Sequence, residues 1–376
     1  MARQVSQQEL DSFFNLLKKL ADAFGVSGYE DEVRGIIIDE LKESADSLEV
    51  DRFGNIIAVK KGSEGEPVKI IWDAHMDEIG FFVKHIDDNG FLYLSPVGGW
   101  AEQILPGQRV RILTDTGKII RGVIGMKPPH LMKQEERTKV VPLEELFVDI
   151  GVTSREEAEK LGVRVGSPVD LDREAVRLAG DRVTGKAFDD RVGVAVLVKA
   201  FKEIEPKEQT IYLVISVQEE VGLKGARVAA QKINPEVGIG VDVTTANDVP
   251  GVTPKDHVAY VGKGPALTVA DGRNASGLIS HPKLLRLFIE TAKAEDIPYQ
   301  IYVMPGGTTD ATAISLVGEG VPSIAVSVPT RYIHSPVELL SLKDAVYTAM
   351  LVKAATLRIT REWYRKEIEW GKQLKK

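Results

Sequence analysis

The chain has 376 residues, 48 of them Lys or Arg and 55 Asp or Glu, and it contains no cysteine. This composition excludes disulfides, thiolate metal ligands and cysteine nucleophiles, so any metal site must use histidine and carboxylate. The length suggests two domains or one large domain with an insertion, and the lack of a Lys/Arg-rich block argues against a general nucleic-acid binder.

The N-terminal segment predicts two helices. Apolar residues recur at three- and four-residue spacing from Leu10 to Phe24, and Gly25 ends the pattern. A second helix is expected from about Glu30 to Ser44. The segment lacks the uninterrupted apolar core of a signal peptide, and no stretch of the chain approaches the roughly 18 apolar residues of a membrane span. We therefore expect a cytoplasmic protein that does not bind membranes.

The segment 79–179 predicts a small β-rich domain, because short runs of alternating apolar and polar residues are separated by Gly-containing turns. One short helix should begin after Ser154, since Glu157 completes a capping box three residues later. We interpret this segment as an insertion into a larger catalytic domain that is formed by residues 1–78 and 180–376.

After Thr184 the pattern alternates between strands and helices. The predicted elements are a helix after Asp189, a strand at 210–217, a helix at 224–232, a strand at 237–243, a helix at 282–295, a strand at 323–328 and an amphipathic helix over 361–376. This order predicts an α/β fold with an open sheet that helices cover on both faces. In such sheets, ligands bind beyond the carboxyl ends of the strands.

Two adjacent acids, Glu219 and Glu220, follow the buried strand at 210–217. Like charges side by side repel, so a cation or a shared proton is expected to stabilise the pair. The alternative interpretation is an ordinary pair of acids on a solvated surface.

Two further pairs occupy similar positions. His75 and Asp77 lie two residues apart after a buried strand, so Asp77 can orient the His75 ring, although a simple polar pair at a strand end is the alternative. Asp189 and Asp190 begin a helix, where capping by an acid is the alternative role. Two consecutive acids leave one of them free for another task.

Two single residues complete the set. Asp242 follows an apolar strand, where an unpaired buried carboxylate would be costly, and His334 lies in a loop after the last predicted strand. Two histidines and four or five acids from separate strand ends fit a pair of divalent metal ions about 3.5 to 4 Å apart that share one bridging carboxylate. Glu219 and Glu220 would then supply a free base and a ligand side by side.

Six motifs together resemble the M42 metalloaminopeptidases. They are DAHMDEIG at 73–80, TGKAFDDRVG at 184–193, VQEEVGLKGA at 217–226, GVDVT at 240–244, GGTTDA at 306–311 and YIHSP at 332–336. The resemblance extends over essentially the whole chain. It implies the phosphorylase/hydrolase-like fold of the dinuclear zinc aminopeptidases, with residues 79–179 as an inserted PDZ-like dimerisation domain.

The resemblance also implies a ligand set. Asp189 would bridge two divalent metal ions, with His75 and Asp242 completing one site and Glu220 and His334 the other. Zinc and cobalt are the first candidates for the metal, and manganese is a further one.

Other residues receive roles by the same resemblance. Glu219 would be the general base that takes a proton from a metal-bridging water and later delivers it to the leaving amine, and Asp77 would orient His75. Candidate substrate contacts, for which a glycine-rich turn is the alternative role, are Thr308, Thr309 and Asp310.

The implied activity is removal of N-terminal residues from short peptides, in a homo-oligomer whose dimers build a dodecamer. One alternative is a related dinuclear carboxypeptidase or deacylase, which would need a positive group to hold a substrate carboxylate. The other is a non-catalytic peptide-binding or assembly protein, in which the crowded carboxylates would lack a compensating cation.

Overall fold

The computed structural model describes residues 3–369, which form a mixed α/β fold with a large sheet and a small closed barrel. The helices are α1 (Gln7–Asp22), α2 (Asp31–Leu41), α3 (Arg155–Lys160), α4 (Phe188–Glu203), α5 (Lys224–Ile233), α6 (Pro282–Ala294), α7 (Asp310–Ser315), α8 (Leu342–Leu357) and α9 (Arg361–Glu367). None of these helices is long and apolar enough to cross a lipid bilayer.

The described residues form seventeen strands, which are numbered in chain order. They are β1 (Ser47–Val50), β2 (Ile56–Lys60), β3 (Val68–His75), β4 (Gly80–Ile86), β5 (Leu92–Val97), β6 (Arg109–Leu113), β7 (Ile119–Gly125), β8 (Phe147–Asp149), β9 (Pro168–Leu171), β10 (Val176–Arg177), β11 (Arg182–Gly185), β12 (Gln209–Ser216), β13 (Val237–Thr245), β14 (Ala266–Ala270), β15 (Gln300–Val303), β16 (Ser323–Arg331) and β17 (Glu338–Ser341).

The large sheet has the order β1-β2-β12-β3-β13-β16-β17-β11-β10, and β14 joins it by pairing with β16 and β15. The four central strands β12, β3, β13 and β16 are parallel. Their carboxyl ends therefore lie at one edge of the sheet, where the segments that follow them meet.

Helices cover both faces of the sheet, as the sequence predicts. Helix α4 packs between the sheet and helices α1 and α8, whereas α5 and α7 pack on the other face. Neighbouring residues in a strand point to opposite faces, so Trp72 is buried in the core beneath α4 and Ile71 in the core beneath α5. The central strands are apolar on both sides for this reason.

The observed ends of helices α1 and α9 differ slightly from the predicted ones. Helix α1 ends at Asp22, because Ala23 is extended and the backbone N–H of Phe24 donates to the Glu32 carboxylate instead of continuing the helix. Helix α9 spans Arg361–Glu367, and residues 370–376 of the predicted terminal helix lie outside the described part of the chain.

The β-rich segment forms a closed antiparallel barrel with the strand order β4-β5-β8-β7-β6-β9. Its interior is a separate apolar core that includes Phe81, Val110 and Val148. Helix α3 begins where the sequence predicts, and the Ser154 hydroxyl accepts a hydrogen bond from the Glu157 N–H. The short strand β10 follows the barrel and pairs with β11 in the large sheet.

Candidate metal centre and active site

The predicted site residues meet at the carboxyl edge of the central strands. His75 is the last residue of β3, Asp242 lies in β13, and Asp189 lies in the first turn of α4. The loop after β12 carries Glu219 and Glu220, and the loop after β16 carries His334. Residues that are more than 250 positions apart in the chain therefore share one cleft.

Asp189 is the centre of this cluster. Its Oδ1 atom lies 3.1 Å from His75 Nε2, and its Oδ2 atom lies 3.5 Å from His334 Nε2. His334 Nε2 also lies 3.3 Å from Glu220 Oε2. The two oxygens of one carboxylate thus face two histidines on different elements, which is the arrangement of a bridging ligand.

Further acids lie near the same ring nitrogen of His75. His75 Nε2 lies 3.8 Å from Glu219 Oε2 and 4.0 Å from Asp242 Oδ1. Potential ligand atoms lie within 4.8 Å of one another in two groups. The groups are His75, Asp189 and Glu220, and His75, Asp190 and Asp242.

Asp190 is a candidate ligand that the sequence analysis left without an assigned role. Its Oδ1 atom accepts a hydrogen bond from the Gly193 N–H at 2.9 Å, as a helix cap does. Its Oδ2 atom is buried and has no hydrogen-bond partner among the described residues. Burial, with the nearby Asp242 charge, raises the pKa of Asp190 well above its usual value. The doubled acid at the start of α4 was the only signal of this role.

Asp77 supports both His75 and the paired glutamates. Its carboxylate lies 3.5 Å from His75 Nδ1, whose shorter contact, at 3.2 Å, is with the Asp77 backbone oxygen. The same carboxylate accepts the backbone N–H groups of Glu219 at 3.0 Å and Glu220 at 3.3 Å, and the Ser27 hydroxyl at 2.6 Å. Asp77 therefore contacts both His75 and the loop that carries Glu219 and Glu220, whereas the sequence analysis predicted only its contact with His75.

The pKa values in the cleft reflect dense buried charge. Burial raises the pKa of Glu219 well above its usual value, and His75 only partly opposes this shift. Burial lowers the pKa of His334, but hydrogen bonds to Asp189 and Glu220 outweigh it and raise the pKa to about 11. The hydrogen bonds from His334 and His75 lower the pKa of Asp189 against the effect of burial.

The residues present fit divalent cations. Two histidines and several carboxylates converge, and one oxygen of Asp190 lacks a partner among the described residues. Imidazole nitrogen and carboxylate oxygen are ligands that zinc, cobalt and manganese accept. Without such cations, the acids would repel one another in a site that excludes much of the solvent.

A cavity of about 630 Å³ opens onto this cluster. Its lining includes Glu219, Asp242, His334, Thr308 and Thr309, and no Lys or Arg occurs among the described residues that line it. A peptide end could therefore reach the acids and histidines from this side.

Asp310 occupies a different position from the one expected of a substrate contact. It begins α7, is 4% exposed and is not among the described residues that line the cavity. Its Oδ2 atom accepts a hydrogen bond from Ser216 Oγ at 2.7 Å, and Asp73 lies on the other side of this hydroxyl at 3.2 Å. Asp310 is therefore buried beneath the cleft, because α7 packs onto the sheet and turns its first residue inward.

Glu338 is a second residue that the sequence analysis missed. Its buried carboxylate accepts the backbone N–H groups of Asp189 and His334. It lies four residues after His334 in the sequence, but a single glutamate after a loop gives no indication of which backbone groups it contacts.

Comparison with known proteins gives consistent matches. The model of the M42 glutamyl aminopeptidase family matches residues 54–351. A putative aminopeptidase of Acetivibrio thermocellus is 45% identical over 338 residues, which cover 89% of this chain and 96% of that protein. The structure of an aminopeptidase from Desulfurococcus kamchatkensis matches with a TM-score of 0.91 and 46% identity, covering 95% of this chain and 98% of that one.

A further similar structure is that of the Pyrococcus horikoshii TET1 peptidase, which can assemble into a tetrahedron or a large octahedral shell. Its TM-score is 0.82 and its identity is 36%, and the match covers 92% of this chain and all of that one.

Proposed function

The chain belongs to the M42 family of aminopeptidases, and we propose that it removes N-terminal residues from short peptides with two divalent metal ions in the cleft around Asp189. The observation that carries this proposal is the contact of both Asp189 oxygens with histidines from separate elements, His75 and His334. A carboxylate in this position is suited to hold two cations at once.

The proposed ligands are Asp189 as the bridge, His75 and Asp242 at one metal, and Glu220 and His334 at the other. Asp190, which is grouped with His75 and Asp242 and has one buried oxygen without a partner among the described residues, is an additional candidate at the first metal. Zinc or cobalt, and then manganese, suit these nitrogen and oxygen atoms. When bound, the two ions would polarise the scissile carbonyl and lower the pKa of the attacking water.

Glu219 is the proposed general base. Its Oε2 atom lies 3.8 Å from His75 Nε2, and its carboxylate lines the cavity and accepts no hydrogen bond within the part of the chain that the structure describes. It is therefore free to take a proton from the attacking water and deliver it to the leaving amine. Asp77 would hold Glu219 in place through its backbone N–H, and it would fix the ring of His75.

The lining of the cavity favours an aminopeptidase over a carboxypeptidase or deacylase of the same ligand type. Such an enzyme needs a positive group for the substrate carboxylate, and no Lys or Arg lines the cavity among residues 3–369. The acids of the cleft suit a free α-amine, which is positively charged at neutral pH. Thr308 and Thr309 are the proposed polar contacts with the peptide.

We further propose that residues 79–179 act as the dimerisation domain, with a PDZ-like role, and that residues 1–78 and 180–376 form the catalytic domain. The assembly proposed for this chain is a dodecamer built from dimers, by analogy with the P. horikoshii TET1 peptidase, which can form a tetrahedron. A cytoplasmic location stays a prediction.

One experiment separates the candidate functions. The protein is stripped of metal, reloaded with Zn²⁺, Co²⁺ or Mn²⁺, and assayed with free, amino-blocked and carboxyl-blocked dipeptides. We expect cleavage of the free and carboxyl-blocked peptides and none of the amino-blocked one. Preference for the amino-blocked peptide would support a carboxypeptidase or deacylase. Failure to bind any of the metals, with no hydrolysis, would leave only a binding or assembly role.

A further inference from the structure

We propose that Glu338 is a positioning residue that fixes two of the proposed metal ligands, Asp189 and His334, to one carboxylate. This inference rests on the proposed function, because it assumes that these two side chains bind metal. It concerns a buried residue that is not among the described residues lining the cavity.

The sheet topology places Glu338 between the two ligand segments. It is the first residue of β17, which pairs with β11 on one side and with β16 on the other. Strand β11 leads into the segment that carries Asp189, and β16 leads into the loop that carries His334. Both segments leave the sheet beside the start of β17, so one side chain there can reach both.

Within residues 3–369, each oxygen of Glu338 has one hydrogen-bond partner. Oε2 accepts the Asp189 backbone N–H at 2.9 Å, and Oε1 accepts the His334 backbone N–H at 2.9 Å. These are normal lengths for N–H···O bonds. Because both oxygens are occupied, Glu338 acts on the proposed ligands through their backbone.

The two segments need such a restraint. His334 has a φ of +61° and Ala187, two residues before Asp189, has a φ of +54°. Left-handed conformations are unfavourable for residues with a Cβ atom, and they persist when the surrounding structure fixes them. The Glu338 carboxylate supplies a fixed partner at His334 itself and two residues after Ala187.

We call the Glu338 carboxylate, together with the backbone N–H groups of Asp189 and His334 that donate to it, the clamp. This arrangement requires a carboxylate. A glutamine at position 338 would have the same shape, but its amide has one acceptor oxygen and would direct an NH₂ group at the second backbone N–H. One buried donor would then lose its partner. The ligand side chain on that segment would be held less firmly.

The expected effect of Glu338→Gln is a 10- to 100-fold loss of metal affinity, which is typical when a partner of a metal ligand is removed. The matched control is Asp344→Asn. Asp344 is also buried, and its two oxygens accept the backbone N–H groups of Gly262 and Gly264, which are not proposed ligands. The control therefore makes the same chemical change at a pair of backbone donors outside the cleft.

The test uses metal-free full-length protein titrated with Co²⁺, with the visible absorption of the bound ion as the readout. Wild type and Asp344→Asn should bind with the same affinity and spectrum, whereas Glu338→Gln should bind more weakly with an altered spectrum. Wild-type affinity and spectrum in Glu338→Gln would overturn the inference. If the wild type itself bound no Co²⁺, the proposed function would fail instead.

A second measurement needs no variant and covers the case in which Glu338→Gln does not fold. Hydrogen exchange of the metal-free wild type should show slow exchange at the backbone amides of Asp189 and His334. Rapid exchange at both amides would mean that the clamp does not hold them, and the inference would be rejected.

Discussion

Two buried charged regions of this protein differ in how their charges are balanced. At the junction between the barrel and the sheet, three cations face two acids: Arg111 contacts Asp170, and Lys186 and Arg191 contact Glu78, with Lys186 Nζ 2.7 Å from Glu78 Oε1. In the cleft, carboxylates outnumber the two histidines, and no Lys or Arg lines the cavity among the described residues.

The comparison separates structural charges from functional ones. Both members of each ion pair at the junction belong to the same chain. Acids in the cleft have partners only in part, and the pKa values of Glu219 and Asp242 are raised by burial and by neighbouring acids. An unbalanced buried cluster indicates that a cation from outside the chain completes it.

The largest expected effect is that of Glu219→Gln on catalysis. Removing the proposed general base should lower kcat by about 10²- to 10⁴-fold. The bound metal, measured by elemental analysis, should stay at the wild-type amount, because Glu219 is not a proposed ligand. Loss of one acid from the crowded cleft should also raise the stability of the metal-free protein in urea. Full activity in this variant would exclude the assigned role.

Lys186→Met should lower the stability of the protein, whereas Glu219→Gln should raise that of the metal-free protein. Removal of Lys186 leaves Glu78 and Asp170 with fewer partners in a buried site, and breaking such a pair costs about 3–5 kcal/mol in the free energy of unfolding. Lys232→Met, which breaks an exposed pair with Glu49, is the control and should cost about 0–1 kcal/mol. Equal costs in urea unfolding would remove the distinction between the junction and an ordinary surface pair.

Metal removal should lower the stability of the protein by leaving the acids of the cleft without cations, and it should leave the ion pairs of the junction intact. A ligand at a thousand times its Kd stabilises the folded state by about 4 kcal/mol, so chelation should lower the Tm measured by calorimetry. Glu219→Gln should lose less stability than the wild type on chelation, because fewer acids are then left without a cation. An unchanged Tm after complete removal of metal would contradict the view that cations complete the cleft.

Asp344 gives the smallest predicted effect and a third type of buried charge, an acid held by backbone N–H groups. Burial raises its pKa from 3.8 to about 6, so the folded state binds more protons than the unfolded state between these values. Stability from this group is therefore present below about pH 4 and is lost as the pH rises to about 6. The Asp344→Asn variant has no carboxyl group at this position, so it does not lose this stability as the pH rises.

The difference in the free energy of unfolding between wild type and Asp344→Asn can be measured by urea unfolding at pH 4 and pH 7. Relative to wild type, Asp344→Asn should gain up to about 3 kcal/mol between the two pH values. A constant difference would mean that Asp344 keeps an ordinary pKa in the folded state.

Local sequence patterns predicted most of the central sheet. The predicted strand at 210–217 is β12 (Gln209–Ser216), and the helix at 224–232 is α5 (Lys224–Ile233), because both depend on the spacing of nearby apolar residues. Helix α8 was not predicted. It is buried on most of its surface, so its sequence lacks the polar face that reveals an amphipathic helix.

The sequence by itself determined the chemistry that is available: histidine and carboxylate without thiolate, placed after buried strands. Only the tertiary structure decided which of these groups meet. It added Asp190 to the cluster, placed Asp310 beneath the cleft and brought Glu338 to the backbone of two distant segments. The reason is that the distance between residues in different segments depends on strand order and helix packing, which local periodicity does not encode.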